Sequence, residues 1–362
     1  MKRCLLFIPR MGGGGAERVM ATIANNLCTE HEVILVSMTD AESFYALDER
    51  VKVVALGQRI NRNNNLTKLL TSAFGGTIAL LKLRKLINKW KPDAMLSFLT
   101  EANLISILLK IFGVKCRVVI SERNDPTTRG KLTRWFERNF YPKADAVVCQ
   151  SVAVVDFFKE EYRHKMTVIP NPIAASAIPA RFDGKRQHKI VGVGRLDSQK
   201  NFQMLVRAFA TLTEKFSDYK LEIYGGGPLE NELQNLINSL GLQEKAKLMG
   251  VQKNVMHYIS DAALFVMSSN YEGFPNALAE AMATGIPVIS TNFSTGVAKD
   301  IVKEENGLVI PVGDEKALVA AMEQILSSEE KWEMMSLENR NLLYTLSEEA
   351  VIAMWKAVLN LD

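Results

Sequence analysis

The chain has little of what metal centres, disulfide frameworks and membrane spans are made of. Its 362 residues include four cysteines (Cys4, Cys28, Cys116 and Cys149), and none of them stands in a C-x-x-C pair. This spacing makes a metal site unexpected and favours free thiols in a reduced, cytosolic setting. The chain also contains no run of about 18 apolar residues, which is the length that a membrane-spanning helix needs.

What the chain does have is an uneven distribution of charge. Residues 1–170 contain 26 lysines and arginines against 16 aspartates and glutamates, whereas residues 171–362 contain 18 against 24. A basic half favours an anionic partner such as a lipid head group, a diphosphate or a nucleic acid. Aromatic residues that could stack on bases are not concentrated in the basic half, so no nucleic acid is expected as a partner.

Short apolar runs alternate with helical patterns along the whole chain. The first run, LLFI, is ended by Pro9 and Arg10, so it is interpreted as a buried strand and not as a signal peptide. Such alternation predicts an α/β fold with two doubly wound parallel sheets, which bind ligands at the carboxyl ends of their strands. The predicted strands are 5–8, 33–36, 94–97, 118–120 and 146–149 in one sheet, and 190–193, 221–224, 264–267 and 288–290 in the other.

The stretch SSNYEGFPNALAEAMATGIPVIST, residues 268–291, combines two carboxylates with a turn. Glu272 precedes the turn, and Glu280 lies about two helical turns further on. The turn exposes backbone N–H groups at a helix N-terminus, which attract an anion. The arrangement suits a long ligand with hydroxyls at both ends and phosphate between them, such as a nucleotide sugar. Two glutamates at this spacing are otherwise typical of a solvated helix face.

Two glycine-containing segments also follow predicted strands. Gly12, Gly13, Gly14 and Gly15 would let the backbone approach a phosphate, or they form a simple structural turn. Glu17 and Arg18 occupy the closing positions of a G-x-G-x-x-G fingerprint, which argues against an oxidoreductase. In GRLDSQKN, Arg195 and Lys200 flank a turn, where two cations could hold a diphosphate.

Together these segments resemble retaining GT-B glycosyltransferases of family 4, and the resemblance extends over most of the chain. It implies two Rossmann-like domains that face each other across a cleft. Residues 1–170 would bind the acceptor and residues 171–344 the nucleotide sugar, with a boundary at the VIPNP segment, and a helix at about 345–362 would pack back on the first domain. Asn306, Gly307, Leu308 and Val309 resemble a structural turn of the family.

The resemblance also implies the residues of the donor site. It assigns catalysis to Arg195, Lys200 and Glu272, and ribose binding to Glu280. The donor is expected to be a UDP-sugar, UDP-GalNAc or UDP-galactose by resemblance, and no metal is expected because cations neutralise the leaving diphosphate. The residues that would contact the donor are Gly14, Gly15, Gly194, Gly227, Val251, Gly273, Phe274, Pro275, Asn276, Ala277, Leu278 and Glu280.

One departure from the family pattern bears on the acceptor. Many members carry a histidine after the strand that ends near Ile120, but this chain has SERNDP there. The SERNDP segment resembles that of a subset of the family whose members extend sugars on lipid-linked diphosphate carriers. A structural turn is the alternative interpretation of this segment. The predicted acceptor contacts are Glu17, Ser97, Glu122, Arg123, Asn124, Lys82, Lys85 and Lys89.

Lys82, Lys85 and Lys89 recur on one face of the predicted helix TIALLKLRKLINKWK. The helix is interpreted as lying on the anionic inner face of the cytoplasmic membrane, and an ordinary surface helix is the alternative. The leading hypothesis is therefore a peripheral membrane enzyme that moves a hexose or N-acetylhexosamine from a UDP-sugar to a polyprenyl-diphosphate-linked glycan or a surface polysaccharide precursor. A relative that glycosylates a small soluble acceptor and a non-catalytic nucleotide-sugar-binding module remain alternatives.

Overall fold

Residues 1–57, 65–123 and 125–362 are described in the computed structural model of the protein. The chain divides into two units: unit 1 comprises Met1–Asn171 and Val351–Asp362, and unit 2 comprises Pro172–Ala350. The chain therefore leaves unit 1 after Asn171 and returns to it at Val351. The sequence predicts these points at 170/171 and at about residue 345.

Unit 1 contains a seven-stranded parallel sheet with the order β3-β2-β1-β4-β5-β6-β7. Its inner strands form because their runs of Val, Ile, Leu and Phe are buried on both faces, as is usual in parallel sheets. In the register of the sheet, Leu6 of the first strand lies beside Leu35 and Leu96 of its two neighbours. The strands are β1 (Arg3–Ile8), β2 (Glu32–Ser37), β3 (Lys52–Ala55), β4 (Ala94–Phe98), β5 (Arg117–Ser121), β6 (Ala146–Cys149) and β7 (Met166–Val168).

Helices cover both faces of this sheet, because alternate residues of each strand point to opposite faces. Cys4, Leu6 and Ile8 pack into one buried cluster, and Leu5 and Phe7 pack into the other. The helices of unit 1 before the chain leaves it are α1 (Gly15–Leu27), α2 (Asn65–Trp90), α3 (Thr100–Ile111), α4 (Lys131–Phe140) and α5 (Val152–Asp156).

Unit 2 repeats the plan with a six-stranded parallel sheet in the order β10-β9-β8-β11-β12-β13. Two buried clusters again lie on its two faces, one around Phe209 and the other around Phe265. The strands are β8 (Gln187–Val193), β9 (Lys220–Tyr224), β10 (Ala246–Gly250), β11 (Ala262–Met267), β12 (Val288–Thr291) and β13 (Gly307–Ile310).

The helices of unit 2 are shorter on average, and two of them begin at a side-chain cap. Asp314 accepts a hydrogen bond from the Ala317 N–H at 2.9 Å, and this satisfies a donor of the first helical turn. The helices are α6 (Phe202–Leu212), α7 (Glu230–Ser239), α8 (Val255–Ile259), α9 (Asn276–Ala283), α10 (Val297–Ile301), α11 (Glu315–Leu326), α12 (Glu329–Asn339) and α13 (Leu342–Thr345). The last helix, α14 (Glu348–Leu359), carries the chain back into unit 1.

The predicted α/β class with two parallel sheets is confirmed, and each of the nine predicted strands lies within an observed one. The predicted turn at Asn306–Val309 is wrong in part, because Gly307–Ile310 is the edge strand β13 and pairs with β12. The four cysteines are free and buried. Among the residues that the structure describes, no helix is both long enough and apolar enough to cross a bilayer.

Candidate functional site

Four loops of unit 2 leave neighbouring strands at the same edge of the second sheet. They follow β8, β9, β10 and β11, which are consecutive in the sheet and parallel, so their carboxyl ends lie side by side. The loops contain Arg195, Lys200, Gly227, Val251 and Glu272. Parallel pairing therefore gathers motifs that are up to about 80 residues apart in sequence.

The centre of this edge is an ion pair between two predicted site residues. Lys200 Nζ lies 2.6 Å from Glu272 Oε1, and the two side chains are only 16% and 8% exposed. Glu272 also accepts hydrogen bonds from Ser269 Oγ at 2.7 Å and Gln199 Nε2 at 3.1 Å. The carboxylate is therefore held by three donors in one orientation. Gln199 and Ser269 were not predicted, although both lie within the quoted motifs.

Backbone contacts join the loop after β8 to the loop after β11. Ser268 Oγ donates to the Lys200 carbonyl at 2.8 Å, and the Asn270 N–H donates to the Gln199 carbonyl at 2.7 Å. Asp197 Oδ1 accepts from the Lys200 N–H at 3.2 Å, which holds the turn that presents the lysine. The position of Lys200 relative to Glu272 therefore depends on the conformation of both loops.

Arg195 and Lys200 bond to different partners in the structure, whereas the sequence predicts that the two cations hold a diphosphate together. The Arg195 side chain is 71% exposed and bonds Asp197 Oδ2 at 2.6 Å, whereas Lys200 bonds Glu272. Arg195 nevertheless lines a shallow groove of about 280 Å³ in unit 2. The groove is lined by Val193, Gly194, Arg195, Tyr224, Gly225, Gly226, Val251, Gln252 and Val255.

At the floor of this groove, the backbones of the loops after β8 and β9 approach each other closely at glycine residues. The Gly194 N–H donates to the Tyr224 carbonyl at 2.9 Å, and the Leu196 N–H donates to the Gly226 carbonyl at 3.0 Å. A Cβ on Gly225 would lie 1.8 Å from the Gly194 carbonyl oxygen, and one on Gly227 would lie 2.4 Å from the Leu196 oxygen. No larger residue fits at these two positions without moving the backbone.

The helix N-terminus after Glu272 has fewer open N–H groups than the sequence predicts. The Asn276 N–H donates to the Phe274 carbonyl and the Leu278 N–H donates to the Pro275 carbonyl, both at 3.0 Å. The predicted anion contact through these two groups therefore stays a prediction, and it would require both N–H groups to leave these carbonyls. The side chains of Phe274 and Leu278 are buried in the core of unit 2. Gly273, Ala277 and Glu280 are half-buried.

In unit 1 the glycine loop meets a carboxylate of its own helix. Gly14 is the N-cap of α1, and Gly15 begins that helix. A Cβ on Gly14 would lie 2.3 Å from Glu17 Oε2, so the buried Glu17 carboxylate folds back over this glycine. An incoming phosphate at Gly14 and Gly15 would be repelled by the negative charge of that carboxylate. The predicted phosphate contact therefore requires Glu17 to move.

Three predicted acceptor contacts lie below the surface. Ser97 is fully buried and donates its hydroxyl to Asn103 at 2.9 Å, while Glu122 and Arg123 are buried as well. Direct contact of these side chains with an acceptor stays a prediction, and it would require them to become exposed. Asn124 lies outside the described residues.

A buried carboxylate that the sequence did not indicate accompanies Glu122. Glu137 of α4 is only 1% exposed, and its polar neighbours include Arg129 and Thr100. Burial, together with the charge of Glu122, raises the pKa of Glu137 to about 7, and Arg129 partly opposes the shift. The sequence gives no signal for this pair, because the two glutamates are 15 residues apart on different elements.

We expect this pair to make stability depend on pH. The folded-state pKa of Glu137 lies above its ordinary value of 4.5, so stability falls as the pH rises from about 4.5 through about 7. Glu137→Gln removes this ionisation. The free energy of unfolding of the variant should therefore exceed that of wild type by about 1–3 kcal/mol at about pH 8 and by much less at about pH 5. Thermal unfolding followed by circular dichroism at both values measures the difference.

The exposed Glu330 provides the matched control for this prediction. Glu330→Gln removes the same charge from the surface, so its effect should be small and similar at the two pH values. An equal effect of Glu137→Gln at both values would contradict the pH dependence.

The three predicted lysines of α2 lie on its exposed face. Lys82 Nζ donates to the Leu56 carbonyl at 2.6 Å. Ile78 and Leu81 are exposed on the same face, 49% and 62% respectively, while Leu83 and Ile87 point into the core. The helix therefore presents apolar and basic side chains together to the solvent.

Comparison with known proteins gives matches over nearly the whole chain. A model described as "Glycosyl transferases group 1" matches residues 179–342, and one described as "Glycosyltransferase Family 4" matches residues 13–176. The chain is 33% identical, over 91% of its length and 90% of the relative's, to a Campylobacter jejuni GalNAc-α-(1→4)-GalNAc-α-(1→3)-diNAcBac-PP-undecaprenol α-1,4-N-acetyl-D-galactosaminyltransferase. It is 30% identical, over 91% of both chains, to the N-acetylgalactosamine-N,N'-diacetylbacillosaminyl-diphospho-undecaprenol 4-α-N-acetylgalactosaminyltransferase of C. jejuni.

Solved structures share the fold at low sequence identity. Sucrose-phosphate synthase from Thermosynechococcus elongatus aligns with a TM-score of 0.83 over 99% of each chain, at 17% identity. Anabaena HepE in complex with UDP aligns with a TM-score of 0.79 over 100% of each chain, at 16% identity. At this identity the similarity concerns the fold.

Proposed function

This chain belongs to the group 1, family 4 glycosyltransferases, and from that premise we propose that it moves a hexose or N-acetylhexosamine from a UDP-sugar to a lipid-linked diphosphate glycan. The observation that carries the proposal is the 33% identity, over nine tenths of both chains, to an enzyme named for a glycan on undecaprenyl diphosphate. A second relative, at 30% identity, is also named for an undecaprenyl diphosphate acceptor. Both names contain N-acetylgalactosaminyl, which supports UDP-GalNAc as the first donor to test.

The edge of the second sheet supports the donor assignment. Its groove is lined by backbone at Gly194 and Gly225, which leaves room for the flat base and the ribose of a nucleotide. Anabaena HepE, which shares the fold, has been solved with UDP and with UDP-glucose. In the proposal the base contacts the backbone at Val251, Glu280 holds the ribose hydroxyls, and Glu272 holds a hydroxyl of the transferred sugar.

Lys200 and Arg195 supply the positive charge that the leaving diphosphate requires. Lys200 is fixed by its 2.6 Å bond to Glu272, whereas the exposed Arg195 can move onto a bound phosphate from Asp197. Fixed donors aimed at developing charge usually contribute more to catalysis than any other single effect. With two cations in this role, transfer should proceed in the presence of a metal chelator.

The proposed reaction retains the anomeric configuration. The bond between the anomeric carbon and the diphosphate oxygen breaks as the acceptor hydroxyl attacks from the same face. The acceptor proton passes to the departing phosphate oxygen, so no protein base is required. Glu272 is bonded to Lys200, Ser269 and Gln199, which fits a binding role for this carboxylate better than that of a free nucleophile.

We propose an anionic membrane as the surface on which the enzyme meets its acceptor. Arg84 of α2 donates to the Phe112 carbonyl at the end of α3 at 3.4 Å, so the two helices meet there. Ile111 and Phe112 are exposed beside this contact, and Ile78 and Leu81 are exposed on α2. Apolar side chains beside lysines fit an interface of acyl chains and anionic head groups.

Charge reversal on α2 tests this surface. The triple variant Lys82→Glu, Lys85→Glu and Lys89→Glu should weaken binding to phosphatidylglycerol vesicles by about 100-fold, since each lysine near such a surface contributes about 1 kcal/mol. Vesicle sedimentation measures the partition. The matched control reverses the exposed Lys220, Lys247 and Lys316 of unit 2, which changes the net charge equally. An equal loss in both triples would mean that net charge, and not α2, determines binding.

The function is tested by incubating purified protein with membranes and a panel of labelled UDP- and GDP-sugars. We expect label from one donor in the organic-extractable lipid fraction, in the presence of EDTA, and none with Glu272→Ala. The exposed Glu230 gives a control variant, Glu230→Ala, which should retain transfer. No lipid label, with UDP binding intact, would contradict the lipid acceptor and favour a soluble one.

A further inference from the structure

Arg123 is a buried cation in unit 1. It is the second residue of the loop that follows β5, and it is 6% exposed. Burial lowers the pKa of Arg123 to about 9, with the charge of Glu122 acting in the opposite direction. An arginine remains protonated at neutral pH under these conditions. Burying a charge is unfavourable unless it is paired, so the groups that contact Arg123 indicate its role.

One partner is the last residue before the chain leaves unit 1. Arg123 Nη2 donates to Asn171 Oδ1, and Gln150 Nε2 donates to the same oxygen at 3.3 Å. Asn171 is buried and lies in the IPNP segment that leads into unit 2. Arg123 therefore attaches the exit point of the chain to the loop after β5.

A second partner leads to the point where the chain returns. The Arg123 guanidinium lies over the Phe98 ring, 4.6 Å from its centroid. The Phe98 ring lies 5.6 Å from the ring of Trp355, a fully buried residue of α14. Trp355 follows the return to unit 1 at Val351 by one helical turn. A continuous set of contacts, here called the latch, therefore runs from Asn171 through Arg123 and Phe98 to Trp355.

The same two stretches of chain also pair on the side of unit 2. The Ile173 N–H donates to the Leu346 carbonyl at 2.7 Å, and Ile173 forms an isolated parallel bridge with Ser347. The exit and return segments are thus joined twice, once within each unit. The join in unit 2 is made by backbone, whereas the join in unit 1 is made by side chains, with Arg123 in contact with both Asn171 and Phe98.

We propose that Arg123 is a positioning residue for glycosyl transfer, which holds the exit and return segments of the chain against the loop after β5. That loop lies at the carboxyl edge of the first sheet, where parallel α/β sheets bind their ligands. The inference rests on the proposed function in that the acceptor is expected at this edge. Arg123 acts through Asn171 and Phe98, since its buried guanidinium is turned towards them.

Loss of the latch should affect turnover more than binding. A misplacement of about 1 Å in a catalytic arrangement can lower the rate by about 100-fold. For Arg123→Met, which keeps an unbranched apolar stem and removes the guanidinium, we expect kcat to fall by about 10–100-fold, with the KM values for donor and acceptor nearly unchanged. Asn171→Leu should have a similar effect, and the double variant should be no slower than either single one.

A readout independent of activity follows the latch directly. Hydrogen exchange measured by mass spectrometry on Arg123→Met should be faster both at 166–173 and at 351–359, and unchanged at β9. The matched control is Arg186→Met, because Arg186 of unit 2 also lies over an aromatic ring, 4.5 Å from that of Trp332. That variant should lower the thermal midpoint and leave kcat unchanged.

Either of two other outcomes would overturn the proposal. A higher acceptor KM at constant kcat would make Arg123 a direct acceptor contact. A lower thermal midpoint, with kcat per UDP-binding site unchanged, would leave it a purely structural residue. If wild-type protein transfers nothing to the lipid acceptor, the proposed function fails, and exchange at 166–173 and 351–359 still decides the latch.

Discussion

Lys200→Ala should lower the kcat/KM of sugar transfer by about 10²–10³, the loss usual for one fixed donor to developing charge. Lys200 is one of the two cations proposed to face the diphosphate, and it holds Glu272 at 2.6 Å. Its removal weakens the stabilisation of the leaving group and leaves a buried carboxylate without its counter-charge. Steady-state kinetics with the donor found in the panel measures the loss, and calorimetric titration with UDP measures the binding component.

A second buried ion pair of unit 2 provides the control. Lys189 lies 2.7 Å from Asp261 and is 13% exposed, similar to Lys200, but it projects from β8 outside the four site loops. Lys189→Ala should lower the thermal midpoint with little effect on kcat. Equal kinetic losses in the two variants would show that only stability had been lost, and Lys200 would then have no catalytic role.

The Lys200–Glu272 pair can be divided further by a double-mutant cycle. If Lys200 acts only by orienting Glu272, Lys200→Ala in the Glu272→Ala background should not weaken UDP binding further. If Lys200 contacts the diphosphate, as proposed, the double variant should bind UDP more weakly than Glu272→Ala.

Gly225→Ala should abolish UDP binding and destabilise unit 2 by about 2–6 kcal/mol, because strained backbone contributes about 1–3 kcal/mol and overpacking a similar amount. Gly225 has a φ of +146°, and its Cβ would lie 1.8 Å from the Gly194 carbonyl oxygen. The backbone can relieve the clash only by separating the loops after β8 and β9, which line the groove. Chemical denaturation and titration with UDP measure the two effects.

The variant Gly241→Ala distinguishes the effect of backbone strain from the effect of the steric clash. It also has a positive φ, +68°, but a Cβ there would meet nothing within 4 Å. Gly241→Ala should therefore cost only about 1 kcal/mol and leave UDP binding unchanged. Intact UDP binding by Gly225→Ala would mean that the contact between these loops is not needed for the donor site.

The strands that sequence analysis did not predict share a position in the fold. β3, β7, β10 and β13 are the edge strands of the two sheets. An edge strand is covered on one side only, so it needs no continuous apolar run; β7, for example, is half-buried throughout. The inner strands are buried on both faces, and their sequences are correspondingly uniform in hydrophobicity.

The site was predictable where its residues lie in motifs and not where it depends on distant contacts. Lys200 and Glu272 were identified from motifs 72 residues apart, but their pairing follows from the order of β8 and β11 in the sheet. The buried state of Ser97, and the Glu122–Glu137 pair, have no local signature, because burial is a sum over many elements.

The sequence by itself determined the class of the fold, the family and the loops that form the candidate donor site. These features are local: the hydrophobicity of a strand, the glycine of a turn and the charge beside it are decided within a few residues. The tertiary structure alone decided which charges meet, so that Lys200 bonds Glu272 while Arg195 bonds Asp197. It also decided that Arg123 is a buried link between Asn171 and Phe98, because the partners of a side chain depend on which strands are neighbours.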